Sequence, residues 1–272
     1  MSNQSKEKLF TSSFIFACFG NFFLFFGFYL LLPILPLYLI ETFHTTKSTV
    51  GIILSCYTLS ALFIRPFSAF FADLYNRKPL YLWAYFFFVL VFVSYPVATS
   101  IGLFFLMRVL HGLAFGSVST TGNTLIVDIM PSSRRGEGLG YFGMANNLAM
   151  AAGPMMGLFL HDMTGSYNFI FYSSLFSGFI GFACATMIKN IPKEKMIQKE
   201  AISLDRFFLS KGIFAGISLL LLGIPYGMIT TYVALYGKEI GINKGIGIFF
   251  SLMAAGLVIS RLFAGKLLYY HF

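Results

Sequence analysis

Six stretches of this chain, 9–40, 79–107, 109–127, 138–161, 163–188 and 212–237, carry no Asp, Glu, Lys or Arg. An α-helix rises about 1.5 Å per residue, so roughly 18–20 such residues cross the hydrocarbon core of a bilayer. Two further runs, 48–64 and 245–260, end at an Arg and then continue apolar. Inside lipid every backbone amide needs an internal partner, which restricts spanning structures to helices and closed barrels. These runs are far longer than barrel strands of about ten residues, so helices remain. The chain is 57% hydrophobic and 11% charged, against about 25% charged in a typical soluble domain. The expected fold class is therefore an all-α membrane protein with eight helices, near 14–40, 48–71, 80–98, 101–128, 138–160, 167–188, 212–237 and 245–268.

The formal charge of +9 does not indicate nucleic acid, because the Lys and Arg residues are scattered through short loops and form no basic stripe. Their distribution follows the positive-inside rule instead. With the N-terminus in the cytoplasm, only Lys47, Lys238 and Lys244 fall in outer loops, and Arg108 lies inside the fourth helix. Both termini are then cytoplasmic, in a multi-pass protein of the cell membrane. Lys6 and Lys8 precede an apolar run too long for a signal peptide, so the first helix reads as a retained span. Trp83 and Tyr81 open the third helix, where aromatic anchoring at the interface is expected. Cys18, Cys56 and Cys184 all lie in apolar runs without CxxC spacing and read as packing residues.

The single long polar segment, 189–211, reads as a cytoplasmic linker between a six-helix bundle, 1–188, and a partial second bundle, 212–272. A weak internal repeat supports that division. At one constant offset Gly27 falls on Gly223, Gly51 on Gly247, Ser55 on Ser251 and Arg65 on Arg261. Helices 1 and 2 are thus echoed by helices 7 and 8, the pattern of a parallel six-helix repeat.

Three motifs lie in this frame. The first, Ala69-Phe70-Phe71-Ala72-Asp73-Leu74-Tyr75-Asn76-Arg77-Lys78, places an acid at a helix end beside two cations in a tight turn. The second, in helix 4, is Arg108-Val109-Leu110-His111-Gly112, with Gly116 one turn on. Positions 108, 112, 116, 119 and 123 share one helical face, which reads Arg108, Gly112, Gly116, Ser119, Asn123. Arg108 lies roughly 10 Å from the outer helix end. A charge at that depth costs about 2.5–3.5 kcal/mol or more, so this face is expected to meet protein or a water-filled cavity. The third, Gly153-Pro154-Met155-Met156-Gly157 in helix 5, combines close-packing glycines with a proline that removes a backbone hydrogen bond.

Together these motifs resemble the major facilitator superfamily: G-x-L-a-D-r-x-G-r-k between helices 2 and 3, R-x-x-x-G in helix 4, and the exporter-type g-x-x-x-G-P-x-x-G-G in helix 5. Ala69, Leu74, Asn76, Ala149 and Leu158 depart from those patterns. The resemblance implies a complete N-terminal six-helix bundle plus the first two helices of the C-terminal bundle, the repeat being cut short after helix 8. It implies that Asp73, Arg77 and Lys78, with Asp128 at the inner end of helix 4, form a cytoplasmic charge cluster acting as a gate. It also places Arg108, His111, Asn123, Asn21, Asn146 and Asn147, with Tyr29, around a central cavity. Gly112, Gly116, Gly153, Pro154 and Gly157 would set helix packing and a kink.

The implied function is secondary transport of a small organic solute by alternating access, in the export branch and in exchange for protons. Uptake coupled to protons and a truncated, non-transporting chain are the alternatives left open. The implied partners are the lipid bilayer, a small-molecule substrate and protons. Enzyme chemistry is not expected: HExxH, GxSxG and P-loop patterns do not occur. The GxGxxG at Gly138–Gly143 opens a membrane span instead of following a strand, and His44, His111, His161 and His271 are scattered. No cofactor and no metal are therefore expected.

Overall fold

A computed structural model describes residues 8–190, 213–242, 244–253 and 255–256. Among them every regular element is helical. The helices are α1 (Ser12–Leu31), α2 (Ile34–Phe43), α3 (Lys47–Leu74), α4 (Arg77–Ser94), α5 (Ile101–Ile129), α6 (Arg135–Thr164), α7 (Tyr167–Thr186) and α8 (Ile213–Glu239). A short helical segment follows at 247–253. The rest of the predicted eighth helix, and nearly all of the 189–211 linker, lie outside the described residues.

Helix starts follow side-chain caps that were local in sequence. The hydroxyls of Thr11, Thr46, Ser100 and Ser166 accept from the amides of Phe14, Thr49, Leu103 and Phe169. Each satisfies an amide that the first helical turn leaves unpaired. Between α6 and α7 the chain turns at Gly165, whose φ of 63° is the left-handed conformation that glycine adopts without strain. The expected single helix over 14–40 is a correction. It divides at Leu32–Pro33, because Pro33 has no amide hydrogen to continue the ladder, and Leu32 N–H instead reaches Tyr29 O at 3.3 Å.

Among the described residues six helical segments are both long and apolar enough to cross a membrane: Ser12–Leu31, Lys47–Leu74, Arg77–Val97, Ile101–Ile129, Tyr167–Thr186 and Gly216–Glu239. At 30 residues α6 is also long enough, but its glycines, Asn146, Asn147 and Pro154 lower its hydropathy. Two of the glycines serve packing. A Cβ placed on Gly157 would strike the carbonyl of Leu30, and one on Gly153 would strike Tyr29. The α1 and α6 backbones therefore meet almost directly. Gly112 and Gly116 do the same for α5 on α3, where a Cβ would overlap Tyr57 O and Ala61 O.

The bundle is built from two packed groups, α1 with α6 and α7, and α3 with α5 and α4, joined where α4 meets α7. The core is aromatic: Phe14, Tyr85, Phe88, Phe92, Tyr95, Phe104 and Phe171 are all fully buried. Tyr81 is buried while Trp83 is 62% exposed on the bundle surface, so Tyr81 serves core packing and does not anchor at an interface. Cys56 is buried; Cys18 and Cys184 are only partly so, and all three are free thiols.

Helix α8 packs unevenly. Thr230 and Ala234 in its second half are buried, whereas Phe214, Leu219, Leu220, Leu221, Leu222 and Ile224 in its first half are exposed. Its contact with the bundle is chiefly through α2.

Candidate functional site

At the α3–α4 turn, Arg77 is the hub. Its guanidinium pairs with Asp128 at the end of α5 and lies 3.5 Å from Asp73. It also donates to Ala72 O and Thr124 O, each at 3.3 Å. Ala72 lies in the last turn of α3, where unpaired carbonyls and the helix dipole both favour a cation, and Thr124 lies one turn above Asp128 on α5. Lys78 does not join this cluster. One residue further on, and so about 100° around α4, it donates to Thr186 O at the end of α7 at 3.0 Å. Two adjacent cations thus close three helix ends. All these partners lie within residues 8–190.

The second assembly is buried. Arg108 is 1% exposed and His111 0%. Arg108 stacks over the ring of Tyr57 on α3, with Cζ 4.2 Å from the ring centroid. Its Nη1 donates to the hydroxyl of Tyr95 at 3.2 Å. The same hydroxyl lies 2.7 Å from His111 Nδ1. Among the described residues no carboxylate pairs with Arg108. An aromatic face and a phenolic oxygen take that place, which is how a guanidinium can be held away from water. Arg108 and His111 therefore sit inside the bundle between α3, α4 and α5, not on an open cavity wall.

The asparagines divide. Asn21 is buried and donates to Phe142 O at 3.2 Å, tying α1 to α6. Asn147 bonds back to Gly143 O at 2.7 Å on its own helix. Asn146 Oδ1 is buried without a partner, and Asn123 is exposed on α5. Tyr29 is half-buried beside Phe25 and Phe28.

A third assembly lies at the opposite end of the bundle and joins α8 to it. Lys238 Nζ donates to Glu41 Oε1 at 2.5 Å, and Tyr167 donates to the other oxygen of the same carboxylate. Lys47 pairs with Glu239. The amide of Gly245 donates to Asp162 Oδ2 at 3.0 Å. Beside them the ring of His161 packs on Tyr167, centroids 4.8 Å apart. Burial pushes the Glu41 carboxyl up, but the bonds from Lys238 and Tyr167, with the charges of Lys238 and His161, leave it below its ordinary 4.5. Burial and the Lys238 charge hold His161 below its ordinary 6.5, against the opposing pull of Glu41 and Asp162. Just beneath, a cavity of about 310 Å³ opens between α6 and residues 245–251, lined by Met155, Met156, Phe159, Asp162, Ile248 and Ser251.

A match to the Major Facilitator Superfamily spans residues 17–270. The chain belongs to that superfamily. Among curated relatives, it is 29% identical over 181 residues to the quinolone resistance protein NorA of Staphylococcus aureus, covering 66% of this chain and 46% of NorA. It is 30% identical over 135 residues to the uncharacterized MFS-type transporter YfiU of Bacillus subtilis, covering 50% and 26%. The chain thus spans about half the length of the NorA relatives, or less. Among solved structures, the nucleoside transporter NupG superposes with a TM-score of 0.69 at 16% identity, over 95% of this chain and 68% of that one. A bacterial homolog of the human lysosomal transporter Spinster, inward-facing and unoccupied, gives 0.67 at 16% identity, over 90% and 58%. At these identities the structures establish the fold. This superfamily member is a multi-pass membrane protein with the all-α architecture the motifs implied.

Sequence reasoning on this superfamily member missed Tyr57 and Tyr95, the partners of Arg108, and the Glu41–Tyr167–Lys238 cluster. A usable signal existed only for the second, since Glu41 and Lys238 are rare charges flanking long apolar runs on the same predicted side.

Proposed function

We propose that the chain carries out secondary transport of a small organic solute by alternating access, in the direction of proton-coupled efflux. The N-terminus is assigned to the cytoplasm on the distribution of Lys and Arg. The Arg77–Asp73–Asp128 cluster then faces the cytoplasm and the Glu41–Lys238 cluster faces outward. The observation that carries the reading is a pair of charge clusters at opposite ends of one bundle: Arg77 with Asp73 and Asp128 at one, and Glu41 with Tyr167 and Lys238 of α8 at the other. Ionic joints that can be made and broken at both ends suit a protein that closes alternately on two sides. The Arg77 cluster would act at the inner face when that side closes.

Efflux is favoured over uptake by the Gly153-Pro154-Gly157 motif and by the likeness to NorA, whose name assigns it quinolone resistance. Quinolones are fluorescent, which makes the test direct. Everted membrane vesicles from cells expressing the chain are given an acid interior, and uptake of a quinolone is followed. Uptake that exceeds control vesicles and collapses with a protonophore supports proton-coupled export. Accumulation in intact cells instead would indicate import. No difference from control in either format would remove transport of that solute class from this chain.

A further inference from the structure

The contact between Tyr95 and His111 fixes where one proton sits, and that placement assigns His111 a role. Tyr95 lies in the short turn Tyr95–Val97 that ends α4, fully buried against Phe92, Phe104 and Phe171. Its hydroxyl has one hydrogen to give. Arg108 Nη1 can only donate, so the Tyr95 oxygen is the acceptor in that 3.2 Å contact. The hydroxyl hydrogen is then free for the 2.7 Å contact with His111 Nδ1, which accepts it. The imidazole hydrogen is left on Nε2.

The alternatives are worse. A hydrogen on Nδ1 would make both neighbours donate to Tyr95 and strand the phenolic hydrogen in a dry interior, at the penalty of an unmade buried hydrogen bond. A doubly protonated ring would add a second cation beside Arg108. His111 Nε2 has no hydrogen-bond partner, but the ring lies between Phe88 and Phe92, centroids 4.6 and 4.7 Å away, with Tyr57 at 5.5 Å. These rings offer Nε2 no hydrogen-bond acceptor or donor in either tautomer, so the hydrogen-bond chain through Tyr95 decides the assignment.

We propose that His111 is a positioning residue for Arg108, acting through Tyr95 as a fixed hydrogen-bond acceptor and not as a carrier of protons. The chain His111–Tyr95–Arg108, closed by the stack on Tyr57, locks the guanidinium to α3, α4 and α5 at once. This role rests on the transport reading for its consequence, but the tautomer does not.

The test has two arms. The first is nitrogen NMR of the full chain with 15N-labelled histidine, the His111 signals being assigned by their loss in His111→Asn. Between pH 6 and 8 the Nε2-protonated neutral ring is expected throughout. An Nδ1-protonated ring or an imidazolium anywhere in that range overturns the proposal. The second arm is quinolone flux. Asparagine places its amide oxygen near the Nδ1 position and can still accept from Tyr95, so His111→Asn should keep flux within about twofold and leave its pH profile unchanged. His111→Leu and Tyr95→Phe should each lower flux by roughly tenfold, with the double variant no worse than either. His111→Asn as inactive as His111→Leu, or with a displaced pH profile, overturns the positioning role. If the parent chain shows no flux, the transport reading fails and the NMR arm alone decides the tautomer assignment.

Discussion

Removing the charge of Glu41 should open the end of the bundle where α8 meets α2. In Glu41→Gln the side chain keeps its shape but loses the attraction for Lys238 and weakens the bond from Tyr167. Glu41 is 46% exposed and Lys238 33%, so the ion pair is discounted to about 0.2–1 kcal/mol for solvent screening. The tyrosine bond to a partly solvated charge adds about 1 kcal/mol. The sum, about 1–2 kcal/mol, shifts the closed-to-open ratio of that end by roughly five- to thirtyfold. Acidification should act in the same direction. His161 and Glu41 are both held below their ordinary 6.5 and 4.5 in the closed form. The open form therefore binds more protons in each window. Closure is fully favoured above about 6.5, weakens as pH falls through the His161 window, and weakens again as it falls through that of Glu41. Spin labels at Thr42→Cys and Ile240→Cys, in a background with Cys18, Cys56 and Cys184 replaced, would report the separation of α2 and α8. The expectation is a longer-distance population that grows on Glu41→Gln and, in the parent, below pH 6.5. Identical distance distributions for parent and variant across pH 5–8 would refute the reasoning.

Other perturbations test other joints. Gly157→Ala drives a methyl into Leu30 O and should lower stability by about 1–3 kcal/mol, whereas Gly140→Ala on the same helix meets nothing within 4 Å and should be neutral or slightly stabilising; thermal unfolding in detergent compares them. Tyr57→Phe keeps the ring under Arg108 and removes a hydroxyl without a partner, so it should cost little, while Tyr57→Leu should lose about 0.5–2 kcal/mol in the same assay. Arg77→Met and Asp128→Asn should be non-additive, with a coupling of roughly 0.5–3 kcal/mol in a double-mutant cycle, because each removes the same ion pair.

The parts of this fold that were legible in sequence are those the bilayer imposes locally. Lipid forbids charge and unpaired amides along each span, so the uncharged runs mark the helices whatever packs against them. Hydroxyl caps at Thr11, Thr46, Ser100 and Ser166 act within three residues, and they too can be read from the chain. What depends on the choice of neighbour could not. Continuous apolarity across 9–40 hid the break at Pro33, although a proline is the ordinary cause of one. Arg77 and Lys78 looked like one cluster because they are adjacent, yet a helix points adjacent residues apart, and α7 supplied Lys78 with its own carbonyl.

Arg108 shows the limit most clearly. Its depth announced that it needed a partner, but a helical face of glycine, serine and asparagine left protein and a water-filled cavity equally open. The glycines instead let α5 approach α3 so closely that Tyr57 comes under the guanidinium, and Tyr95 reaches it from a turn outside any helical periodicity. The small residues and the aromatic partner are therefore one device. Widening the α3–α5 contact, as Gly112→Val would, should withdraw Tyr57 from Arg108 without touching either side chain. The loss on Gly112→Val should then shrink when Tyr57 is already Leu. Equal losses in both backgrounds would separate the two and leave the glycines as packing alone.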